Sequence, residues 1–184
     1  MDIDAMLERD PKIGDTLYRL TGLTVEQYKL LYLACVGGLR DIHPATHKVM
    51  RAFIGMDLSF TREGYKLFCL VDAIAEESWY VGPRDCIQLK DNFQGCVKIL
   101  RRWSDGRLRS AHLKALVAIY NDGCLSERFL RRVYGYSVVG ELWRFGWTEI
   151  IALPEIEGWH IYRLSTLGDS LLQSLVLLQE GKSL

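Results

Sequence analysis

The chain has no C-x-x-C pair, no G-x-G-x-x-G or G-x-x-x-x-G-K-[ST] loop, no low-complexity stretch and no excess charge of either sign. Each absence removes a class of protein. The five cysteines (Cys35, Cys69, Cys86, Cys96 and Cys124) are scattered and odd in number, so they read as reduced, mostly buried thiols of a cytoplasmic protein. Without a glycine-rich cradle, no phosphate loop is signalled. No apolar run reaches the about 18–20 residues of a membrane span. The acidic opening "MDIDAMLERDPK" lacks the apolar stretch of a secretory leader. Lys+Arg and Asp+Glu both number 23, so nothing draws the whole chain toward nucleic acid or an anionic membrane.

Constellations for chemistry are equally sparse. "DIHPATH" places His43 and His47 one turn apart, but His43 precedes Pro44 and falls before the helix. A metal site needs three or four converging ligands, so an ordinary capped turn is expected there. "GDS" at 168–170 lacks the strand–turn–helix setting of a nucleophile elbow. Neither an enzyme nor a metal or cofactor is expected.

What is present is apolar pattern. With 184 residues, 49% of them hydrophobic, the chain can build one large core or two small ones. Residues 1–22 read as an amphipathic lead-in, with Asp10-Pro11 as a turn or helix start. "LTVEQYKLLYLACVGGL" is a helix with Thr24 and Gln27 as a capping box, apolar on nearly all sides and therefore central. "PATHKVMRAFIG" is a short helix. In "SFTREGYKLFCLVDAIAEESWYVG", Tyr65, Phe68, Cys69, Leu70, Val71 and Ile74 form the expected inner face and Gly82-Pro83 the stop. Residues 84–104 read as one helix broken near Gly95 or as two short ones. Asp105-Gly106 has turn chemistry, which places a domain division there: a helical domain over 1–104 and a second domain over 105–184.

The second domain has a specific order. "RLRSAHLKALVAIYNDG" is a helix. "SERFLRRVYG" is a second, with Ser126 as N-cap, Phe129, Leu130 and Val133 inward, and Arg128, Arg131 and Arg132 outward. "SVVGELWRFG" is a third, capped by Ser137. "WTEIIAL" and "WHIYRL" form a hairpin around a Pro-Gly loop, and "STLGDSLLQSLVLLQ" is a closing helix that starts at Ser165 or Thr166. Alternation in "WHIYRL" turns Tyr162 and Leu164 inward with His160, and Arg163 outward beside Ile161 and Trp159.

The passage "IYRLSTLGDSLLQSL" resembles the Y-R-L-T-x-x-G-x-x-L-L segment that closes the wing in MarR-like and PadR-like regulators, with Tyr162, Leu164, Gly168, Leu171 and Leu172 at matching positions. "ELWRFGW" is similar to the end of their third helix. The likeness covers roughly residues 107–175 and implies a winged helix-turn-helix. The fold class is therefore mainly α: an N-terminal helical domain plus a C-terminal winged helix with a small antiparallel β-hairpin. In the first half, "FTREGYKLFCLV" (60–71) echoes "LSTLGDSLLQSL" (164–175). A plain helical bundle is favoured there, with a degenerate tandem repeat or a dimerisation module as alternatives.

Charge is unevenly spread. Residues 98–134 carry nine bases against three acids, whereas the flanking stretches are net acidic. This basic block, with the element order, makes double-stranded DNA the expected partner and transcriptional or mobile-element regulation the expected role. Arg128, Arg131, Arg132 and Arg163 would hold phosphates, Ser137 would bond another, and Arg144 would read a guanine edge. Arg107 and Arg109 add to the same face. The alternative is a winged-helix adaptor that binds protein through an acidic wing tip (Glu155, Glu157) and a patch of Trp143, Trp147 and Trp159. A homodimer is compatible with either reading.

Overall fold

The computed structural model describes residues 12–78 and 86–183. The Asp10-Pro11 and Gly82-Pro83 signals lie outside these residues. The fold is mainly helical with one small antiparallel sheet. In chain order the elements are α1 (Ile13–Thr21), α2 (Val25–Cys35), α3 (Pro44–Met50), α4 (Arg62–Ser78), α5 (Phe93–Trp103), α6 (Ser110–Asp122), β1 (Leu125–Ser126), α7 (Glu127–Tyr134), α8 (Tyr136–Arg144), β2 (Thr148–Ala152), β3 (Ile161–Leu164) and α9 (Thr166–Gln179).

Local chemistry accounts for most boundaries. Thr24 and Gln27 form the expected reciprocal capping box at α2. Ser126 accepts from the Phe129 N–H and Ser165 from the Gly168 N–H, each satisfying a free donor of a helix start. Asp105 (φ 52°) and Gly106 (φ 77°) make the tight turn after α5. Ser137 does not cap α8. The helix starts one residue earlier, with Gly135 at φ 88° making an abrupt link from α7. Gly95 does not break α5, which runs through it.

The sheet order is β1–β3–β2. β1 was invisible in the sequence because two residues show no period. It pairs Leu125 with Tyr162 and Ser126 with Ile161. β3 is thus a central strand, and α1 packs against β1 from the first half. Both Ile161 and Tyr162 are buried, and simple inward–outward alternation fails.

Two hydrophobic cores result. One gathers Leu17, Leu23, Tyr28, Leu31, Met50, Phe53, Ile54, Leu67 and Val71. The other gathers α6–α9 and β3, together with Phe93, Cys96, Val97 and Leu100 of α5, so α5 packs with the second half although it precedes the Asp105-Gly106 turn. Several inward assignments shift. Tyr65 and Cys69 are exposed and Leu67 takes the inner position on α4. Leu33 and Cys35 of α2 face solvent, so α2 is not central on all sides. Val133 is 53% exposed because α7 buries only the stripe around Leu130. Cys96 is the buried cysteine, while Cys35, Cys69 and Cys86 are exposed.

The two halves share a backbone junction in atomic detail. Ser165 N–H donates to the Trp147 carbonyl (3.2 Å), Ser165 Oγ to the Gly146 carbonyl (2.5 Å), and Gly168 N–H to Ser165 Oγ (3.1 Å). In the first half, Thr61 N–H donates to the Phe53 carbonyl (3.0 Å), Thr61 Oγ1 to the Ala52 carbonyl (2.5 Å), and Gly64 N–H to Thr61 Oγ1 (3.0 Å). Ile54 and Phe60 pair as an isolated antiparallel bridge where β2 and β3 stand in the second half. The first half therefore repeats the helix–hairpin–helix junction with a much shorter hairpin.

Candidate nucleic-acid interface

The six residues singled out from sequence fall in three places. Arg128, Arg131 and Arg132 of α7 face the first half. Arg128 Nη1 donates to the Gly22 carbonyl at 2.7 Å and lies 3.2 Å from Gln27 Oε1. Its guanidinium stands 4.6 Å over the Trp159 ring and 5.9 Å over Tyr18. A group so engaged clamps α1 to α7 and is withdrawn from a phosphate role. Gly22 permits this twice over: its φ of 78° ends α1, and a Cβ there would sit 3.2 Å from Arg128 Cδ.

Arg131 pairs with Glu127, whose side chain is 2% exposed, and stacks 4.5 Å from the Tyr136 ring. His160 Nδ1 stands 2.9 Å from the same carboxylate without hydrogen-bond alignment, while the His160 backbone N–H donates to it at 3.3 Å. The Tyr162 hydroxyl nearby is pushed up to about 12, chiefly by burial and then by the Glu127 charge. Arg132 is exposed, with its guanidinium 5.8 Å over Tyr18 and no ion pair among the described residues.

Arg163 is exposed on β3 and pairs across the hairpin with Glu149 at 2.5 Å. Such a surface pair is worth about 0–1 kcal/mol, so Arg163 can exchange partners, but it starts neutralised. Ser137 and Arg144 lie on the exposed face of α8, with no partner among the described residues. On the same helix Val138, Val139 and Leu142 are buried, while Tyr136 is 72% and Trp143 58% exposed.

The acid of α8 is not free. Glu141 accepts from Arg109 and lies 2.8 Å from His112 Nε2. Burial opposes its ionisation, but the Arg109 and His112 contacts outweigh that and hold its pKa below the ordinary value. His112 is fully buried. Its Nδ1 accepts the Arg109 backbone N–H at 3.2 Å, which leaves the proton of the neutral ring on Nε2, 2.8 Å from Glu141 and 3.3 Å from Arg109 Nη2. Burial and the Arg109 charge lower its pKa. His112 escaped the sequence reading, although a polar residue on the apolar stripe of α6 beside Leu113 and Leu116 was the visible signal.

Next to α8 lies a cationic run. Arg107 stands 5.5 Å over the Phe145 ring, immediately after Arg144. Arg101 Nε donates to the Gly106 carbonyl at 3.1 Å, which fastens it beside Arg107. Arg102 is exposed on the last turn of α5. Asp105, exposed in the turn between Arg101 and Arg107, is the acid within this group, and α8's own carboxylate is taken by Arg109.

The hairpin loop serves a different purpose from the one its shape suggested. Leu153, Ala152, Ile156 and Trp159 pack into the first core, and Trp159 meets Phe53 edge-on with centroids 4.7 Å apart. Trp147 is 4% exposed, in contact with His112 and Phe145. The aromatic patch of three tryptophans therefore does not exist as a surface, and Trp143 alone of the three is exposed. His43 caps α3 by accepting the Ala45 N–H at 3.3 Å, and His47 Nε2 lies 3.2 Å from the Ile54 carbonyl oxygen, consistent with a structural turn.

Comparison with family models, curated protein sequences and solved structures gives no match.

Proposed function

We propose that the chain binds double-stranded DNA through a winged-helix unit spanning roughly residues 107–175, with α8 as the helix offered to the major groove. The observation that carries this reading is the cationic run Arg101–Arg107–Arg144 alongside an α8 whose only carboxylate, Glu141, is paired with Arg109. In this reading Arg107 and Arg144 hold phosphates or base edges, Ser137 adds a neutral donor, and Arg163 joins by exchanging Glu149 for a phosphate. Arg128 and Arg131 are architectural. The first half is a second, abbreviated copy of the unit, held at a fixed angle by the hairpin loop. A regulatory role on DNA follows from this as an expectation.

The test is fluorescence anisotropy on a labelled duplex across a salt series. Binding should weaken steeply with salt, and the Arg107→Ala, Arg144→Ala pair should lower the log–log salt slope by about 1 per contact removed. Absence of duplex binding at low salt, or an unchanged slope in the double variant, overturns the reading. The exposure of Trp143 favours a second reading, a protein-binding adaptor. In that case Trp143→Ala abolishes capture of the partner while leaving the fold intact, and no duplex binding is seen.

A further inference from the structure

A concave cleft of about 470 Å³ lies between α1, α3, α7 and the hairpin loop, lined by Tyr18, Arg128, Arg131, Arg132, Tyr136 and Trp159 among others. Its size falls in the about 300–1,000 Å³ range of small-molecule sites. We propose that it binds a small organic anion with a planar body, by class a nucleoside monophosphate.

Three features carry this. First, the guanidiniums stand over aromatic rings: Arg131 lies 4.5 Å from Tyr136, Arg128 4.6 Å from Trp159 and Arg132 5.8 Å from Tyr18. Arg128 already uses Nη1 on the Gly22 carbonyl and Gln27, and Arg131 pairs with Glu127, so the N–H edge open to a phosphate or carboxylate is that of Arg132, placed over Tyr18 with little side-chain entropy left to lose. Second, donor capacity remains unused. Arg132 has no ion pair, and Arg131 Nε is buried without a hydrogen-bond partner among the described residues. An interface built only to join the halves would fill such a space with side chains. Here a hollow survives beside three arginines, of which Arg131 is balanced by Glu127 and Arg132 supplies the uncompensated charge. Third, the loop tip supplies a stand-in anion. Glu157 is 89% exposed, and its carboxylate reaches Arg131 at 4.0 Å. The tip acid acts as a weak internal competitor that an arriving anion displaces. That gives the acidic hairpin a purpose a DNA-contacting wing lacks.

The site does not depend on duplex binding by α8. Isothermal titration of the intact protein at low salt with AMP, inorganic phosphate and adenosine tests it. AMP should bind saturably and more tightly than phosphate or adenosine alone. Arg132→Ala and, separately, Tyr136→Ala should each weaken AMP about tenfold or more; both side chains are exposed, so the fold should persist by circular dichroism. Glu157→Gln should tighten AMP by about two- to fivefold, the worth of a rim ion pair. Arg107→Ala and Arg144→Ala should leave it unchanged, which separates this site from the α8 surface. Displacement of AMP by a 5′-phosphorylated single strand assigns the phosphate to a strand end. Failure to displace assigns it to a free nucleotide, and either result supports the site. No saturable AMP binding up to about 10 mM, or AMP binding unaltered in folded Arg132→Ala, overturns the proposal.

Discussion

Replacing Gly168 by alanine should destabilise the second half strongly, although glycine to alanine inside a helix ordinarily stabilises by up to about 1 kcal/mol. Gly168 lies in the first turn of α9 against the backbone of Trp147. A Cβ there would overlap the Trp147 carbonyl oxygen, with the carbonyl carbon 3.1 Å and Leu164 Cδ2 3.4 Å away. The obstacle is backbone rather than a flexible side chain, so α9 must lift from the hairpin. That strains the Ser165–Trp147 and Ser165–Gly146 hydrogen bonds at 3.2 and 2.5 Å. Loss of about two such bonds plus partial unpacking of Leu172 and Leu175 gives about 3–5 kcal/mol. Gly64→Ala should act alike in the first half, where the obstacle is the Phe53 carbonyl, its carbon 2.9 Å from the added Cβ. Gly140→Ala and Gly95→Ala are the controls: both are helical, both open onto empty space, and both should be neutral or stabilising. Urea denaturation followed by circular dichroism and by tryptophan fluorescence measures all four. If Gly168→Ala is as stable as the parent, the shared junction does not hold these helices, and the structural equivalence of the halves fails with it.

Arg128→Ala should lower stability by about 2–4 kcal/mol, through loss of the charged bond to the Gly22 carbonyl and the stacking on Trp159. A change within about 0.5 kcal/mol in urea unfolding would show that Arg128 is a surface group after all. His112 has a folded pKa lowered from 6.5 by burial and by Arg109. The unfolded chain thus takes up its proton first as pH falls. This contribution to stability is complete above about 6.5 and declines below it, toward the lowered folded value. His112→Gln should flatten that segment of the stability–pH curve, and an unchanged slope refutes the assignment. Cys35, Cys69 and Cys86 should react with a thiol reagent in the folded protein, whereas Cys96 should require unfolding. Rapid labelling of Cys96 in native buffer would contradict its burial.

Helix identities were legible in the sequence wherever caps and period agreed. Thr24–Gln27, Ser126, Ser165 and the Asp105-Gly106 turn are local chemistry, decided within a few residues. The echo between residues 60–71 and 164–175 was also visible, because a glycine that must approach backbone closely leaves a mark at a constant offset from its capping hydroxyl. The direction of the arginines on α7 was not legible. Period places Arg128, Arg131 and Arg132 off the stripe around Leu130, but it cannot say whether that face meets solvent or another half of the same chain. Trp159 and the acids at 155 and 157 misled for the same reason: a loop of this composition looks exposed until Phe53 and Arg131 come from outside it to meet it. His112 was hidden differently. A buried histidine is recognised by its partners, and Glu141 comes from a helix 29 positions along.

The sequence by itself determined a helical chain with a late hairpin, because caps, glycines and apolar spacing act over distances shorter than an element. It also determined that positive charge gathers in residues 98–134. Only the tertiary structure decided what that charge does. Packing the first half against α7 and the hairpin loop turned Arg128 and Arg131 inward onto aromatic rings and left Arg101, Arg107 and Arg144 among the outward cations. A charge's role depends on which groups share its few ångströms of space, and those groups can lie 106 residues away along the chain, as Arg128 and Gly22 do.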